Sequence, residues 1–164
     1  MAHRKSPARI AKDARIAQFR SRETLSTAQG AEKAVTWEAI AELEARLVGR
    51  VLLPSGPSYN EDRQESNPAC QSYPELIVYC VCESDALECL AVARRYRLWV
   101  AVRSGGHSTA GYSVNSGMVV DLSDLQGVVL DPARERVHVL PGTDFDHFNG
   151  AMNHTGWHVP TGAC

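Results

Sequence analysis

The sequence predicts an α+β fold in which a small α/β unit precedes a strand-rich stretch. An apolar run, a helical pattern and a second apolar run follow one another over residues 76–103, which is the order of a βαβ unit. Three short strand patterns come after it, separated by turn residues. The 164 residues, 44% of them hydrophobic, suffice for one domain with a buried core.

The first elements carry clear boundary signals. Thr36 is a candidate N-cap for a helix that runs to about Leu47, with Ile40 and Leu43 on its apolar side and Gly49 as the stop. The following "VLLP" is typical of a short strand. Residues 54–74, rich in Pro, Ser, Asn and Gly, predict irregular structure.

The predicted βαβ unit begins with "ELIVYCVC", a buried strand. Ser84 is expected to cap the helix, whose apolar side is Leu87, Leu90 and Ala91. "LWVAV" is the second strand, and a right-handed crossover is expected between the two. The later strands are "MVVDL", "GVVLD" and "RVHVL", and Asp144 is expected to cap a last helix that ends near Gly156.

The charge distribution sets the N-terminus apart. Residues 1–22 hold seven basic side chains and one acidic one, whereas the remainder holds ten basic and eighteen acidic. We expect residues 1–34 to form a basic, disordered tail and residues 35–164 to form the folded part. The tail has no nucleic-acid-binding pattern, so no nucleic-acid partner is expected, and a transit peptide is a weaker alternative. Without a signal peptide or membrane span in the sequence, a soluble, cytoplasmic protein with no membrane partner is predicted.

The five cysteines and the late histidines suggest metal sites only weakly. Cys80 and Cys82 alternate in one strand pattern and are expected to be small buried residues, although a C-x-C metal site is conceivable. His154 and His158 have i,i+4 spacing, but Gly156 interrupts the helix between them. No metal is therefore expected.

The segment "RSGGHS", residues 103–108, is the main functional candidate. Gly105 and Gly106 leave backbone N–H groups unobstructed, and Ser104, Ser108 and Thr109 offer hydroxyl donors, as a phosphate site requires. Arg103 could neutralise a diphosphate. A tight turn between strands is the simpler alternative. No G-x-G-x-x-G opens a helix, so a nucleotide would not bind in the Rossmann manner.

Several motifs in order resemble the berberine bridge enzyme-like flavoproteins of the vanillyl-alcohol oxidase/PCMH-type FAD-binding superfamily. They are "VRSGGHS" with "GYS", "VVDLS", a "PG" at residue 142 and "P-x-G-x-C" at the end, together with "GRVLLP" and "PELIV". The resemblance runs from about residue 46 to the end. It implies the N-terminal part of a PCMH-type FAD-binding domain: an α/β subdomain and the start of a second, strand-rich subdomain.

The resemblance also implies which residues bind the cofactor. FAD would be bonded covalently through His107, at the flavin 8α-methyl, and through Cys164, at carbon 6. The backbone of the Gly-rich loop would hold the diphosphate. The expected cofactor-binding residues are Arg103, Ser104, Gly105, Gly106, His107, Ser108, Ser113, Leu122, Ser123, Gly142 and Cys164.

The implied function is FAD-dependent oxidation of alcohol or hemiacetal groups in carbohydrates or secondary metabolites. Relatives continue beyond the matched cysteine with a substrate domain, so we expect a truncated chain that is nearly inactive alone and lacks the catalytic base. A second chain could supply the missing half, beside a small-molecule substrate. The alternatives are a non-catalytic flavin-binding remnant and, less favoured, a metal-dependent hydrolase that uses the late histidines.

Overall fold

The computed structural model describes residues 35–160. The predicted tail of residues 1–34 and Cys164 therefore lie outside the described residues. The helices of the described part are Trp37–Arg46 (α1), Tyr59–Asp62 (α2), Glu83–Tyr96 (α3) and Phe145–Met152 (α4), with a 3₁₀ turn at Pro132–Arg134. Its strands are Arg50–Leu52 (β1), Leu76–Tyr79 (β2), Val100–Arg103 (β3), Met118–Asp121 (β4), Val128–Asp131 (β5) and Arg136–Val139 (β6).

Four strands form one mixed sheet in the order β1-β2-β4-β3. The predicted βαβ unit is present, but β4 lies between its two strands, and Val119 of β4 is opposite both Ile77 and Ala101. These pairings are parallel, whereas β1 is antiparallel to β2, with Val51 opposite Val78. The α+β fold class predicted from the sequence is confirmed.

The central strands of the sheet are buried on both faces, as expected of parallel strands covered by other structure. β2 and β4 are buried along their whole length. Alternate residues, including Leu76, Val78 and Met118, pack with α1 and α3 in the larger core cluster. The intervening residues, including Ile77 and Val119, pack with Tyr59 and Val114 on the other face.

The caps of α1 and α4 are as predicted. The Thr36 hydroxyl accepts a hydrogen bond from the Ala39 N–H at 3.3 Å, and Ile40 and Leu43 are buried. The Asp144 carboxylate accepts one from the His147 N–H at 2.8 Å. In both helices, the side-chain oxygen accepts a hydrogen bond from a first-turn N–H group that has no partner within the helix.

Two predictions for α3 are wrong. Its N-cap is Cys82 rather than Ser84, so Cys82 lies beyond the strand and is only half-buried beside the Ser84 hydroxyl. The predicted apolar side is exposed, with Leu87 67% and Leu90 47% accessible. The buried side instead carries Asp85, Cys89, Val92 and Ala93, and Cys80 packs against Cys89 as the small buried residue expected.

Three backbone hydrogen bonds explain why the charged side chain of Asp85 faces the core. Its carboxylate accepts hydrogen bonds from the N–H groups of Val48, Gly49 and Val81 at 2.8–3.0 Å. Burial opposes its ionisation, but these three bonds outweigh that effect and lower its pKa. The carboxylate thus ties the end of α1 and the end of β2 to the start of α3.

The remaining strands, β5 and β6, form a separate two-stranded antiparallel ribbon. Neither strand contains a fully buried residue. α4 lies beside β5, and its Phe148 and Met152 are buried. Within residues 35–160, no helix is long and apolar enough to cross a bilayer. Cytoplasmic location stays a prediction.

Candidate functional site

A cleft lies beyond the carboxyl ends of two neighbouring parallel strands. β3 ends at Arg103 and β4 at Asp121, and the loops that follow them form one side of a cavity of about 440 Å³. The segment between β6 and α4 forms the other side. Open sheets that contain parallel strands bind ligands at this edge, and the volume is within the usual range of roughly 300–1,000 Å³.

Five of the residues predicted from the sequence line this cleft. Ser104, Gly105 and His107 come from the Gly-rich loop, Ser123 follows β4, and Gly142 precedes α4. They are separated by up to 38 positions along the chain, so the fold, and not sequence proximity, brings them together. The His107 side chain is exposed at the cleft.

The two sides of the cleft are held in contact at Gly142. A Cβ at this position would lie 2.2 Å from the Leu122 carbonyl oxygen and 2.6 Å from that of Ser123, so no side chain fits. The Gly142 N–H donates to the Leu125 carbonyl at 2.9 Å. Across the cleft floor, the Ser104 hydroxyl donates to the Pro141 carbonyl at 2.6 Å.

Arg103 differs from the expectation of a cation facing a diphosphate. Its side chain is only 5% exposed, and its Nε donates to Asp121 Oδ2 at 2.6 Å. Its Nη1 lies 4.0 Å from Glu65 Oε1, and neither of these two buried atoms makes a hydrogen bond. The guanidinium therefore lies beneath the loop between two carboxylates and is absent from the cleft lining.

Glu65, from the segment after α2, supports the loop from behind. Its Oε2 accepts a hydrogen bond from the Ser113 hydroxyl at 2.7 Å, which places the predicted Ser113 in the support rather than at the cleft. Asp121 acts similarly on the other strand end, because its Oδ1 accepts hydrogen bonds from the N–H and the hydroxyl of Ser123.

The other predicted residues shape the loop without lining the cleft. Gly106 has φ +69°, a conformation that glycine adopts without strain, and its carbonyl accepts hydrogen bonds from the N–H and hydroxyl of Ser66. The Ser108 hydroxyl accepts from the Tyr112 N–H at 3.0 Å. The Leu122 N–H donates to the Arg103 carbonyl at 2.8 Å, which joins the ends of β3 and β4.

Four residues of the cleft were not predicted as binding residues: Gln126, Thr143, Asp144 and Phe145. Asp144 was expected only as a helix cap. The pKa of its carboxyl is lowered because the backbone N–H of His147 and then the His147 imidazole donate to it. The position of Asp144 two residues after the predicted Gly142 was the available signal, since a helix start beside a binding glycine faces the same space.

A second, shallower hollow of about 580 Å³ lies against α3 and β3, where Leu90, Arg94 and Trp99 border it. It gathers none of the residues predicted from the sequence. Within residues 35–160, no three His, Cys, Asp or Glu side chains are grouped closely enough to hold a metal ion. The cleft is therefore the candidate functional site.

Comparison with known proteins identifies the family of this chain. The family model described as "FAD binding domain" matches residues 74–164, more than half of the chain. An uncharacterized FAD-linked oxidoreductase of Bacillus subtilis, YgaK, is 30% identical over 120 residues, which cover 73% of this chain and 27% of YgaK. This chain thus spans about a quarter of the length of that relative.

Solved structures show the same fold. A carbohydrate oxidase from Microdochium nivale superposes with a TM-score of 0.68 at 24% identity, over 77% of this chain and 28% of the oxidase. A 6-hydroxy-D-nicotine oxidase from Arthrobacter nicotinovorans gives 0.56 at 26% identity, over 59% of this chain and 22% of that enzyme.

The family match covers the loops of the cleft, and the fold is shared with a carbohydrate oxidase. The chain belongs to the FAD binding domain family and corresponds to the N-terminal portion of berberine bridge enzyme-like FAD-linked oxidoreductases.

Proposed function

We propose that this chain binds FAD in the cleft and holds it for the oxidation of an alcohol or hemiacetal group. The observation that carries the proposal is that residues predicted from three separate motifs line one cavity: Ser104, Gly105 and His107 from the first, Ser123 from the second and Gly142 from the third. When bound, the flavin supplies the two-electron acceptor for such an oxidation.

The residues of the cleft fit a flavin cofactor. A Cβ at Gly105 would lie 3.0 Å from the His107 ring, so glycine leaves room for both the imidazole and a ligand that approaches the backbone. Ser66 and Glu65 brace the loop from behind, which favours a preformed site. Arg103 departs from the expectation of a free cation at the cleft, because it is paired with Asp121.

We propose further that His107 and Cys164 bond the flavin covalently. The support is the exposure of the imidazole at the cleft and the resemblance that matches both residues. His107 would bond to the 8α carbon through a ring nitrogen, and Cys164 would bond to carbon 6 through its sulfur, each in place of a hydrogen on the flavin. Each bond would release two protons and two electrons, and dissolved oxygen would accept the electrons.

Intact-mass measurement after acid denaturation tests the covalent bonds. The chain is incubated with excess FAD before denaturation, because a covalent product accumulates even where reversible affinity is weak. We expect the mass of one FAD on the wild type and on each of the single variants His107→Ala and Cys164→Ala, and none on the double variant. His138→Ala, at an exposed position of β6, is the matched control.

Two results contradict this proposal. Flavin released entirely from the wild type would exclude covalent attachment, and flavin retained by the double variant would place the bonds on other residues. Loss from one single variant alone would reduce the linkage to that residue.

The substrate class and the partner are separate proposals. Carbohydrate oxidation is favoured because a carbohydrate oxidase shares the fold.

Most of the length of YgaK lies outside its match with this chain. We propose that residues corresponding to the unmatched part of YgaK also contribute to catalysis, and a second chain is one source of them. Oxygen consumption with mono- and oligosaccharides, with the flavin-loaded chain alone, tests this. Sustained turnover would overturn the need for a partner, and stable flavin without turnover in any complex would favour the non-catalytic remnant.

A further inference from the structure

The hydroxyl groups that line the cleft have already used their hydrogens. Ser104 Oγ donates to the Pro141 carbonyl at 2.6 Å, and Ser123 Oγ donates to the Asp121 carboxylate. Thr143 Oγ1 donates to the Gly127 carbonyl at 3.1 Å and accepts from the Gly127 N–H at 2.9 Å. A hydroxyl has one hydrogen, so these three groups offer only lone pairs to a ligand.

Asp144 adds a carboxylate to the same surface. It is exposed at the cleft, and both hydrogen bonds from His147 end on its Oδ1. An ionised carboxylate accepts hydrogen bonds and donates none. We call Ser104, Ser123, Thr143 and Asp144 the acceptor wall.

The acceptor wall is unsuited to phosphate. A phosphate group has acceptor oxygens and a negative charge. The side chains of the acceptor wall have no free donor for these oxygens, and the carboxylate of Asp144 would repel the charge. The nine residues that line the cleft include no Lys or Arg, and Arg103 is buried against Asp121. The sequence predicted that the Ser104 hydroxyl would donate to a phosphate, but its hydrogen is already used and is not available to a diphosphate.

We propose that the acceptor wall binds a neutral group rich in hydrogen-bond donors, namely clustered hydroxyls or a ring N–H, and excludes phosphate. Two sources have this chemistry: the ribityl chain and ring of a flavin, and the hydroxyls of a carbohydrate. The flavin source rests on the proposed function. A diphosphate would then contact only the backbone N–H groups of residues 105–108.

Titration of the ¹⁵N-labelled chain tests the proposal without any need for activity. The probes are riboflavin, which has no phosphate, D-glucose, and inorganic diphosphate. We expect riboflavin or glucose to shift the amide resonances of Ser104, Ser123 and Thr143. We expect diphosphate to leave these resonances unchanged and to fail to displace riboflavin.

The variant Asp144→Asn sharpens the test because Asn is as good an N-cap as Asp, so the start of α4 is preserved. It replaces one acceptor by a donor and removes the charge. We expect the affinity for the donor-rich probe to fall roughly tenfold, the usual effect of losing a hydrogen bond to a charged group. Asp146→Asn, an equal charge change on an exposed residue outside the cleft lining, should leave it unchanged.

The outcomes separate this inference from the proposed function. If FAD binds while diphosphate shifts the wall resonances, the wall is a phosphate site and the inference is overturned, but the FAD proposal stands. If glucose shifts the wall and neither FAD nor riboflavin binds, the wall takes carbohydrate hydroxyls and the flavin proposal fails. If neither riboflavin nor glucose shifts the wall, or Asp144→Asn and Asp146→Asn behave alike, the inference is wrong.

Discussion

The four-stranded sheet and the β5–β6 ribbon meet at the cleft but are built in different ways. Every residue of β2 and β4 is buried, whereas Val129 of β5 is 65% exposed and Val139 of β6 is 45% exposed. An isolated two-stranded ribbon is only marginally stable in water, whereas a sheet whose central strands are buried on both faces is more stable. The stability of the described part therefore resides in the sheet, and the ribbon side contributes mainly binding groups.

Both regions are needed for the cleft, although only one is well packed. The sheet side supplies the Gly-rich loop, which is braced by buried charges at Glu65, Arg103 and Asp121. The ribbon side supplies Thr143 and Asp144, which are held by a few hydrogen bonds near the surface. Because the sheet side is rigid and the ribbon side is lightly held, a bound ligand would order the ribbon side against the sheet side.

The largest expected effect comes from the sheet core. Ile77→Ala removes a fully buried side chain of β2, and we expect it to lower the free energy of unfolding by about 2–5 kcal/mol. Val129→Ala, a truncation at an exposed position of the ribbon, should cost less than about 0.5 kcal/mol. Urea denaturation of both variants measures the difference. Equal losses would refute the division of stability between the two regions.

A smaller effect is expected at the carboxylate that anchors α3. Asp85→Asn keeps the side-chain shape but turns an amide NH₂ toward one of the three backbone N–H donors. Leaving such buried donors unsatisfied costs about 1–3 kcal/mol. Cooperative urea unfolding at neutral pH gives this value.

The same residue predicts a pH dependence with a definite sign. The pKa of Asp85 is lowered in the folded chain, so its contribution to stability is complete above the unfolded value of about 3.9 and is lost as pH falls through the lower folded value. The loss of stability between neutral and acidic pH should be smaller in Asp85→Asn than in the wild type. Asp124→Asn, at an exposed position, should retain the wild-type loss.

The sequence predicts the parts of this fold that depend on local signals. The caps at Thr36 and Asp144 are read from neighbouring residues, and the strand patterns of β2 to β6 fall close to the observed strands. The Gly-rich loop is found because its composition is unusual after a strand. Its Ser104, Gly105 and His107 line the cleft, together with Ser123 and Gly142, which only the family resemblance predicted.

The parts that depend on distant partners could not be predicted. Asp85 faces the core because its acceptors meet N–H groups 36 and 37 positions away, and this reverses the expected apolar side of α3. Arg103 is buried because Asp121, 18 positions away, pairs with it across adjacent strands. The insertion of β4 between β2 and β3 also leaves no local mark, since all three strands are apolar.

The smallest effect tests the link between the two regions. Ser104→Ala removes the hydrogen bond from the loop after β3 to the Pro141 carbonyl, which joins the sheet side of the cleft to the segment before α4. We expect a loss of about 1 kcal/mol, typical of one hydrogen bond, and no change in the cooperativity of unfolding. Ser84→Ala, at an exposed position beside Cys82, is the matched control.

Amide hydrogen exchange locates the consequence of that loss. Because Ser104 joins a well-packed region to a lightly held one, exchange in Ser104→Ala should quicken at Gly142 and Thr143 and stay unchanged in β2 and β4. Faster exchange throughout the sheet would instead mean that the hydroxyl stabilises the sheet side itself. In that case the cleft would be a single rigid unit, and the contrast between its two sides would not hold.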